Sequence, residues 1–142
     1  MKLKALVIDD SGITRKMVMR ALEQVREAEW VFTEAGDGAE GLSKFDPQNT
    51  DIVFVDWNMP NMSGIDLVRK LRALYPKRHV PIVMITTEKI LAKAEEALRG
   101  GVDAFISKPF TPEGLKQRMA KVFVLLEEPK PETGGFFKRL LS

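Results

Sequence analysis

Five short apolar runs, at residues 6–8, 31–32, 52–55, 82–85 and 104–106, punctuate the chain and are separated by amphipathic stretches. Each run is rich in β-branched or aromatic residues and leads into turn-forming ones, which is how a buried strand reads. The intervals carry helical periodicity. The first helix starts after Ser11, a good N-cap, and places Ile13, Met17, Ala21 and Val25 four apart as its apolar face. The fourth covers residues 88–99 and stops at Gly100 and Gly101. The last begins at Thr111 with Pro112 in its first turn, and Leu115, Met119, Val122 and Leu126 form its stripe. The order βαβαβαβαβα predicts an α/β fold. Parallel strands need crossover connections, and right-handed crossovers put helices on both faces of the sheet.

Open sheets of this kind hold their sites outside the carboxyl ends of the strands. Asp9 and Asp10 follow the first strand, Asp56 the third, Thr86 and Thr87 the fourth, and Lys108-Pro109 the fifth. Singly, each is an ordinary turn former, cap or surface charge. Together they make one crevice, and carboxylates ~4–5 Å apart there would repel by about 3–4 kcal/mol per pair at an effective dielectric near 20. A domain with only ~5–15 kcal/mol of stability gains from a divalent cation that relieves this. Hard oxygen donors without His or Cys suit Mg²⁺, with Mn²⁺ able to substitute. A lysine and a hydroxyl supply donors to phosphoryl oxygens, and an aspartate can accept the phosphoryl group itself. Asp56 is then the nucleophile, and Asp9 and Asp10 hold the metal.

Composition removes other classes. With 142 residues the chain has room for one cored domain. A net charge of +2, from 22 Lys and Arg against 20 Asp and Glu, implies no nucleic-acid partner. Zero cysteines exclude disulfides, thiol catalysis and cysteine metal sites. The lone His79, in a "YPKRHVP" turn, reads as a solvated loop residue. The start "MKLKALVIDD" is neither a signal peptide nor an anchor, so no membrane insertion and a cytoplasmic location are expected.

The segments "VIDDSGITRKMV", "IVFVDWNMPNMSGID", "VPIVMITTE" and "DAFISKPF" resemble, in order and spacing, the four motif regions of response-regulator receiver domains, in particular the single-domain CheY-like type. The resemblance covers residues 1–127. It implies a flavodoxin-like, doubly wound (βα)5 fold whose five-stranded parallel sheet has the order 2-1-3-4-5. It makes Asp56 the phosphoacceptor for a sensor histidine kinase, Asp9 and Asp10 the acidic pair, and Asn58 the donor of a backbone carbonyl to Mg²⁺. Thr86 becomes the switch hydroxyl, Lys108 the phosphate-binding lysine, and Phe105 the switch aromatic, without the hydroxyl of the Tyr often found there. Asn58 and Glu88 would tune loss of the phosphoryl group, and Lys108-Pro109 would be a cis bond. The output is protein binding, to an unidentified target in chemotaxis or other flagellar motility, through helix four, strand five and helix five, where Lys93, Phe105 and Lys116 are expected. Such a chain is a signalling protein rather than an enzyme.

Three competing readings are weaker. Gly36-Asp37-Gly38-Ala39-Glu40-Gly41 satisfies a dinucleotide-binding pattern, yet its acids stand where a pyrophosphate should meet backbone amides, and Glu34 is expected to interrupt the strand before it. An aspartyl-phosphate phosphatase lacks its general acid, since Asn58 stands where the second carboxylate would act. A binding-only pseudo-receiver would have little reason to keep the whole set of site residues.

Residues 128–142 differ in composition. Pro, Gly and charge mark a linker, followed by "FFKRLLS", in which one helical turn would gather Phe136, Phe137, Leu140 and Leu141. This tail is expected to be a tethered docking peptide for a partner such as a kinase, phosphatase or motility protein, or else a ligand for the chain's own output face.

Overall fold

The computed structural model describes residues 1–76, 79–87 and 91–127. Strands and helices alternate as β1 (Lys2–Ile8), α1 (Gly12–Val25), β2 (Glu29–Ala35), α2 (Gly38–Lys44), β3 (Ile52–Val55), α3 (Gly64–Leu74), β4 (Ile82–Thr86), α4 (Leu91–Arg99), β5 (Ala104–Ser107) and α5 (Pro112–Glu127). The strands form one parallel sheet in the order β2-β1-β3-β4-β5. This is the flavodoxin-like arrangement expected from the sequence. Among the described residues no helix is long and apolar enough to cross a membrane.

Strand periodicity sorts the core into two layers. Leu6, Ile8, Val53, Val55, Ile82 and Met84 point to one face, where Ile65, Leu67, Val68 and Leu71 of α3 and Ala97 of α4 meet them. Ala5, Val7, Ile52, Phe54, Val83 and Ile85 point to the other, against Val18 and Leu22 of α1 and Leu115, Met119 and Val122 of α5. Because β1, β3 and β4 are covered on both sides, their side chains are apolar at nearly every position, as a buried parallel strand requires.

Two local expectations change. The buried face of α1 is Val18, Ala21 and Leu22, with Val25 partly buried, whereas Ile13 and Met17 are 77% and 54% exposed. A strict four-residue spacing drifts around a helix of 3.6 residues per turn, so a stripe anchored at Ala21 leaves the sheet by Ile13. In addition, Glu34 does not interrupt β2: it pairs in register with Val7, and the strand runs from Glu29 to Ala35. As an edge strand β2 is only half covered, so it tolerates polar residues and shows a weaker apolar signal.

The helix termini follow from the chemistry expected of them. Ser11 Oγ accepts from Thr14 N, Thr111 Oγ1 accepts from Gly114 N, and α4 ends at Arg99, followed by Gly100 and by Gly101 at φ +111°. At the end of the sheet away from the acidic pair, Arg72 donates to Gly101 O, Val80 O and Asp103 Oδ2, tying α3 to the segments that flank β4 and β5. His79 is an exposed residue with Nε2 3.2 Å from Asp103 Oδ1, in keeping with a loop position.

Candidate functional site

The register of the sheet assembles the site. Ile8 lies beside Val55, so the residues that follow them, Asp9 and Asp56, emerge together, and Asp56 N donates to Ile8 O at 3.0 Å. Thr86 lies beside Ser107, which brings Lys108 to the same edge, with its amide donating to Thr86 O at 2.7 Å. The Lys108-Pro109 bond is cis. Asp9, Asp10 and Asp56 each offer a carboxylate oxygen, all within 4.8 Å of one another, with Asp10 exposed and the other two buried.

The electrostatics are uneven across this cluster. Lys108 Nζ sits 2.8 Å from Asp9 Oδ2 and 3.6 Å from Asp56 Oδ2. The other oxygen of Asp9 accepts from Ser11 N at 2.9 Å. The Thr86 side chain is fully buried and hydrogen-bonds Asp56. Asp56 Oδ1, by contrast, is buried with no hydrogen-bond partner among the described residues. Burial is the main cause that raises the Asp56 pKa above the ordinary carboxylate value; Lys108 and the Thr86 hydroxyl oppose it, and the charge of Asp9 adds to it.

A buried carboxylate oxygen without a donor is costly unless something fills the gap. Hard oxygens from three aspartates, with one lone pair set left open, fit a small divalent cation and the phosphoryl oxygens it accompanies.

The other expected site residues are placed as follows. Asn58 is exposed, two residues past Asp56. Phe105 is half-buried, packs against the α3–α4 side of the core and lines a groove between α4, β5 and α5. Glu88 lies outside the described residues, as do Phe136, Phe137, Leu140 and Leu141. Lys116 is exposed on α5. Lys93 does not line that groove: its ammonium lies 4.7 Å from the centroid of the Trp57 ring, a cation–π contact beside the acidic cluster.

The dinucleotide-like glycines are not a phosphate cradle. Asp37 caps α2 by accepting from Glu40 N, and the Glu40 carboxylate accepts from Gly36 N, so the chain's own acids occupy the amides a pyrophosphate would need.

Two structural partners of the site are not evident from residue type alone. Arg15 Nη1 donates to Asp9 O at 2.6 Å while its Nε pairs with Glu34, which fixes the backbone of the acidic pair from the β2 side. Gly64 N donates to Trp57 O at 2.8 Å, and the approach is so close that a Cβ at Gly64 would lie 2.0 Å from Asp56 O. The only hint in the sequence is a glycine after the turn residues Asn61 to Ser63.

Comparison with known proteins agrees with this geometry. The family model of the response regulator receiver domain matches residues 5–120. The chemotaxis protein CheY1 of Helicobacter pylori is 40% identical over 121 residues, covering 84% of this chain and 96% of that protein. The chemotaxis protein CheY of Pseudomonas aeruginosa is 37% identical over 122 residues, covering 85% and 96%. Among solved structures, the Vibrio cholerae chemotaxis protein CheY4 superposes with a TM-score of 0.73 at 33% identity, covering 86% of this chain and 99% of that one. The CheX-CheY-BeF3-Mg complex of Borrelia burgdorferi gives a TM-score of 0.76 at 27% identity, covering 85% and 89%. A doubly wound sheet with its carboxylates, hydroxyl and lysine at one edge, and relatives matched over nearly their whole length, lead to one conclusion: the chain belongs to the response regulator receiver domain family and is a homologue of the CheY two-component response regulators.

Proposed function

We propose that this chain takes a phosphoryl group from the phosphohistidine of a sensor histidine kinase onto Asp56 and thereby changes its affinity for a protein target. A carboxylate oxygen of Asp56 attacks phosphorus, the P–N bond to the donor imidazole breaks, and its electron pair returns to the leaving ring nitrogen. Lys108 and Thr86 donate to the phosphoryl oxygens as charge shifts among them. Asp9, Asp10, Asp56 and the Asn58 main-chain carbonyl would hold Mg²⁺, or Mn²⁺ in its place. Held there, the ion would supply positive charge to the anions that must approach one another. Asn58 and Glu88 set how readily water removes the group, and Thr86 and Phe105 relay the change toward α4, β5 and α5. Residues 1–127 form the receiver, residues 128–142 the linker and tail, and the chain works in the cytoplasm as a signalling protein rather than an enzyme. Its target is a flagellar or other motility component, by analogy with the chemotaxis relatives.

The observation that carries this reading is the buried Oδ1 of Asp56, unpartnered among the described residues, within a cluster that also presents a lysine and a hydroxyl. The direct test is intact mass after incubation with acetyl phosphate. One added phosphoryl group is expected with Mg²⁺, and none when a chelator removes it; uptake that ignores the chelator would contradict the metal's part.

Trp57 offers an optical test of the metal site. It is buried and directly follows Asp56, so adding Mg²⁺ at millimolar levels should alter tryptophan emission. Asp10→Ala should abolish the response, and Trp57→Phe separates it from the background of Trp30. A response that survives Asp10→Ala would speak against these ligands.

The raised pKa of Asp56 gives a pH test with a definite sign. In the metal-free protein the folded state holds the Asp56 proton more tightly than the unfolded state does. Between the ordinary value of 3.8 and the raised folded value, this group therefore lowers stability as pH rises. Above that window the cost is fully present, so Asp56→Asn should unfold at higher urea concentration than wild type at neutral pH with chelator present. An equal or lower midpoint would show that the Asp56 charge costs the fold nothing.

A further inference from the structure

Between α4, β5 and α5 runs an open groove of about 860 Å³. Its lining combines apolar side chains with polar and basic ones of α5. Leu91 and Leu98 of α4 are 73% and 52% exposed, and Phe105, Pro109 and Phe110 continue the surface along β5. Exposed leucines grouped in a concave surface are a binding feature rather than the scattered apolar exposure of any protein.

The chain carries a matching segment tethered at the groove's own wall. Gly114, Gln117, Arg118 and Lys121 of α5 form that wall, and the described part of the same helix runs to Glu127. At ~1.5 Å rise per residue, the distance along α5 from Glu127 back to Gly114 is roughly 20 Å. Residues 128–135 can span up to roughly 26–29 Å, so they can return Phe136 to any point of the groove. The linker sequence carries Glu128 and Glu132, whose charge is complementary to that of Arg118 and Lys121 on the groove wall. Phe136, Phe137, Leu140 and Leu141 then supply the apolar groups that the exposed leucines lack. A tether of this length acts as an effective concentration in the millimolar range, enough to fill a groove whose intrinsic affinity is weak.

We infer that the chain's own tail, residues 136–141, occupies the α4–β5–α5 groove and must be displaced by any protein that binds there. Ser107 and Pro109 line the groove on either side of Lys108, so the phosphoryl site and the tail share the end of β5. That the tail thereby restrains signalling rests on the receiver reading above; its occupancy of the groove does not.

The absence of cysteine makes the test clean. The full chain carrying Ala94→Cys and Phe137→Cys is compared with one carrying Glu23→Cys, on exposed α1, and Phe137→Cys. Under mild oxidation the first pair should close into an intrachain disulfide, seen as a monomer lighter by two hydrogens, at least about tenfold faster than the second. Adding Phe136→Asp and Leu140→Asp should return the first pair to the control rate. Equal rates for the two pairs, closure indifferent to the aspartates, or a product that is mainly the interchain dimer would each overturn occupancy, the last pointing to a second copy. Closure is then repeated after acetyl phosphate and Mg²⁺, with phosphorylation measured by mass. A changed rate in the phosphorylated chain supports the link to signalling, and an unchanged rate in a chain shown to be phosphorylated overturns the link alone.

Discussion

Asp56→Asn will take up no phosphoryl group from acetyl phosphate and Mg²⁺, under conditions in which the wild-type chain gains one. The amide keeps the size and shape of the carboxylate and can still reach the Thr86 hydroxyl. Lys108, Asp9 and Asp10 remain where they are. What is lost is a nucleophilic oxygen with a full negative charge and one of the proposed metal ligands. Rates should therefore fall by more than roughly a thousandfold, the scale seen when the attacking group of a covalent mechanism is removed. Asp9 is engaged by both Ser11 N and Lys108, and Asp10 is exposed, so neither is positioned to take over. Equal phosphorylation of variant and wild type, read as intact mass, would remove Asp56 from the role.

Gly64→Ala will damage both the fold and the site, although Gly64 contributes no functional group. Its added Cβ would lie 2.0 Å from Asp56 O, 2.8 Å from Asp56 C and 3.0 Å from Trp57 Cα. All three are backbone atoms and cannot rotate aside as a side chain would. Relief requires α3 to move away from β3, which separates Ile65, Leu67 and Val68 from the sheet they bury against. Overpacking ordinarily costs ~1–3 kcal/mol, and a clash with main chain belongs at or beyond the upper end of that range, about 3 kcal/mol or more. Because the clash falls on the main-chain carbonyl of Asp56, the proposed phosphoacceptor, phosphorylation should slow even in the fraction that stays folded. Gly114→Ala is the contrast: there the Cβ meets only Thr111 Oγ1 at 3.2 Å, and an alanine inside α5 should be neutral or stabilising by up to about 1 kcal/mol. Urea midpoints of the two variants check the pair. A Gly64→Ala midpoint equal to wild type would show that α3 can shift at little cost.

How much of this was legible beforehand depended on whether the information was local. Strand runs and helix caps are properties of neighbouring residues, so β3, β4 and the starts of α1 and α5 were readable, and with them the convergence of Asp9, Asp10, Asp56, Thr86 and Lys108. The orientation of α1 was not, because Ile13 and Met17 are as apolar as Val18 and Leu22, and only the position of the sheet decides between them. β2 was underestimated because a strand at the sheet edge needs apolar residues on only part of its surface. Lys93 was placed with Phe105 and Lys116 by resemblance alone, and its contact with Trp57 was not foreseen, since that depends on how α4 sits relative to β3. Gly64 gave still less away, for crowding is a property of the neighbours and not of the glycine.

Lys108 in its place 2.8 Å from Asp9 has a consequence for the metal. The acidic cluster already holds a cation, a tethered one, and a divalent ion that claims Asp9 must share or displace it. Metal affinity is then an exchange constant, the preference of the carboxylates for a mobile double charge over a captive single one. Lys108→Met should bind Mg²⁺ more tightly in the Trp57 titration even as it loses a donor for the phosphoryl group; an equal or weaker affinity would mean that the lysine vacates Asp9 without cost. On this view the lysine serves as a placeholder, keeping the cluster compact when the metal is scarce and setting the concentration at which the site becomes competent.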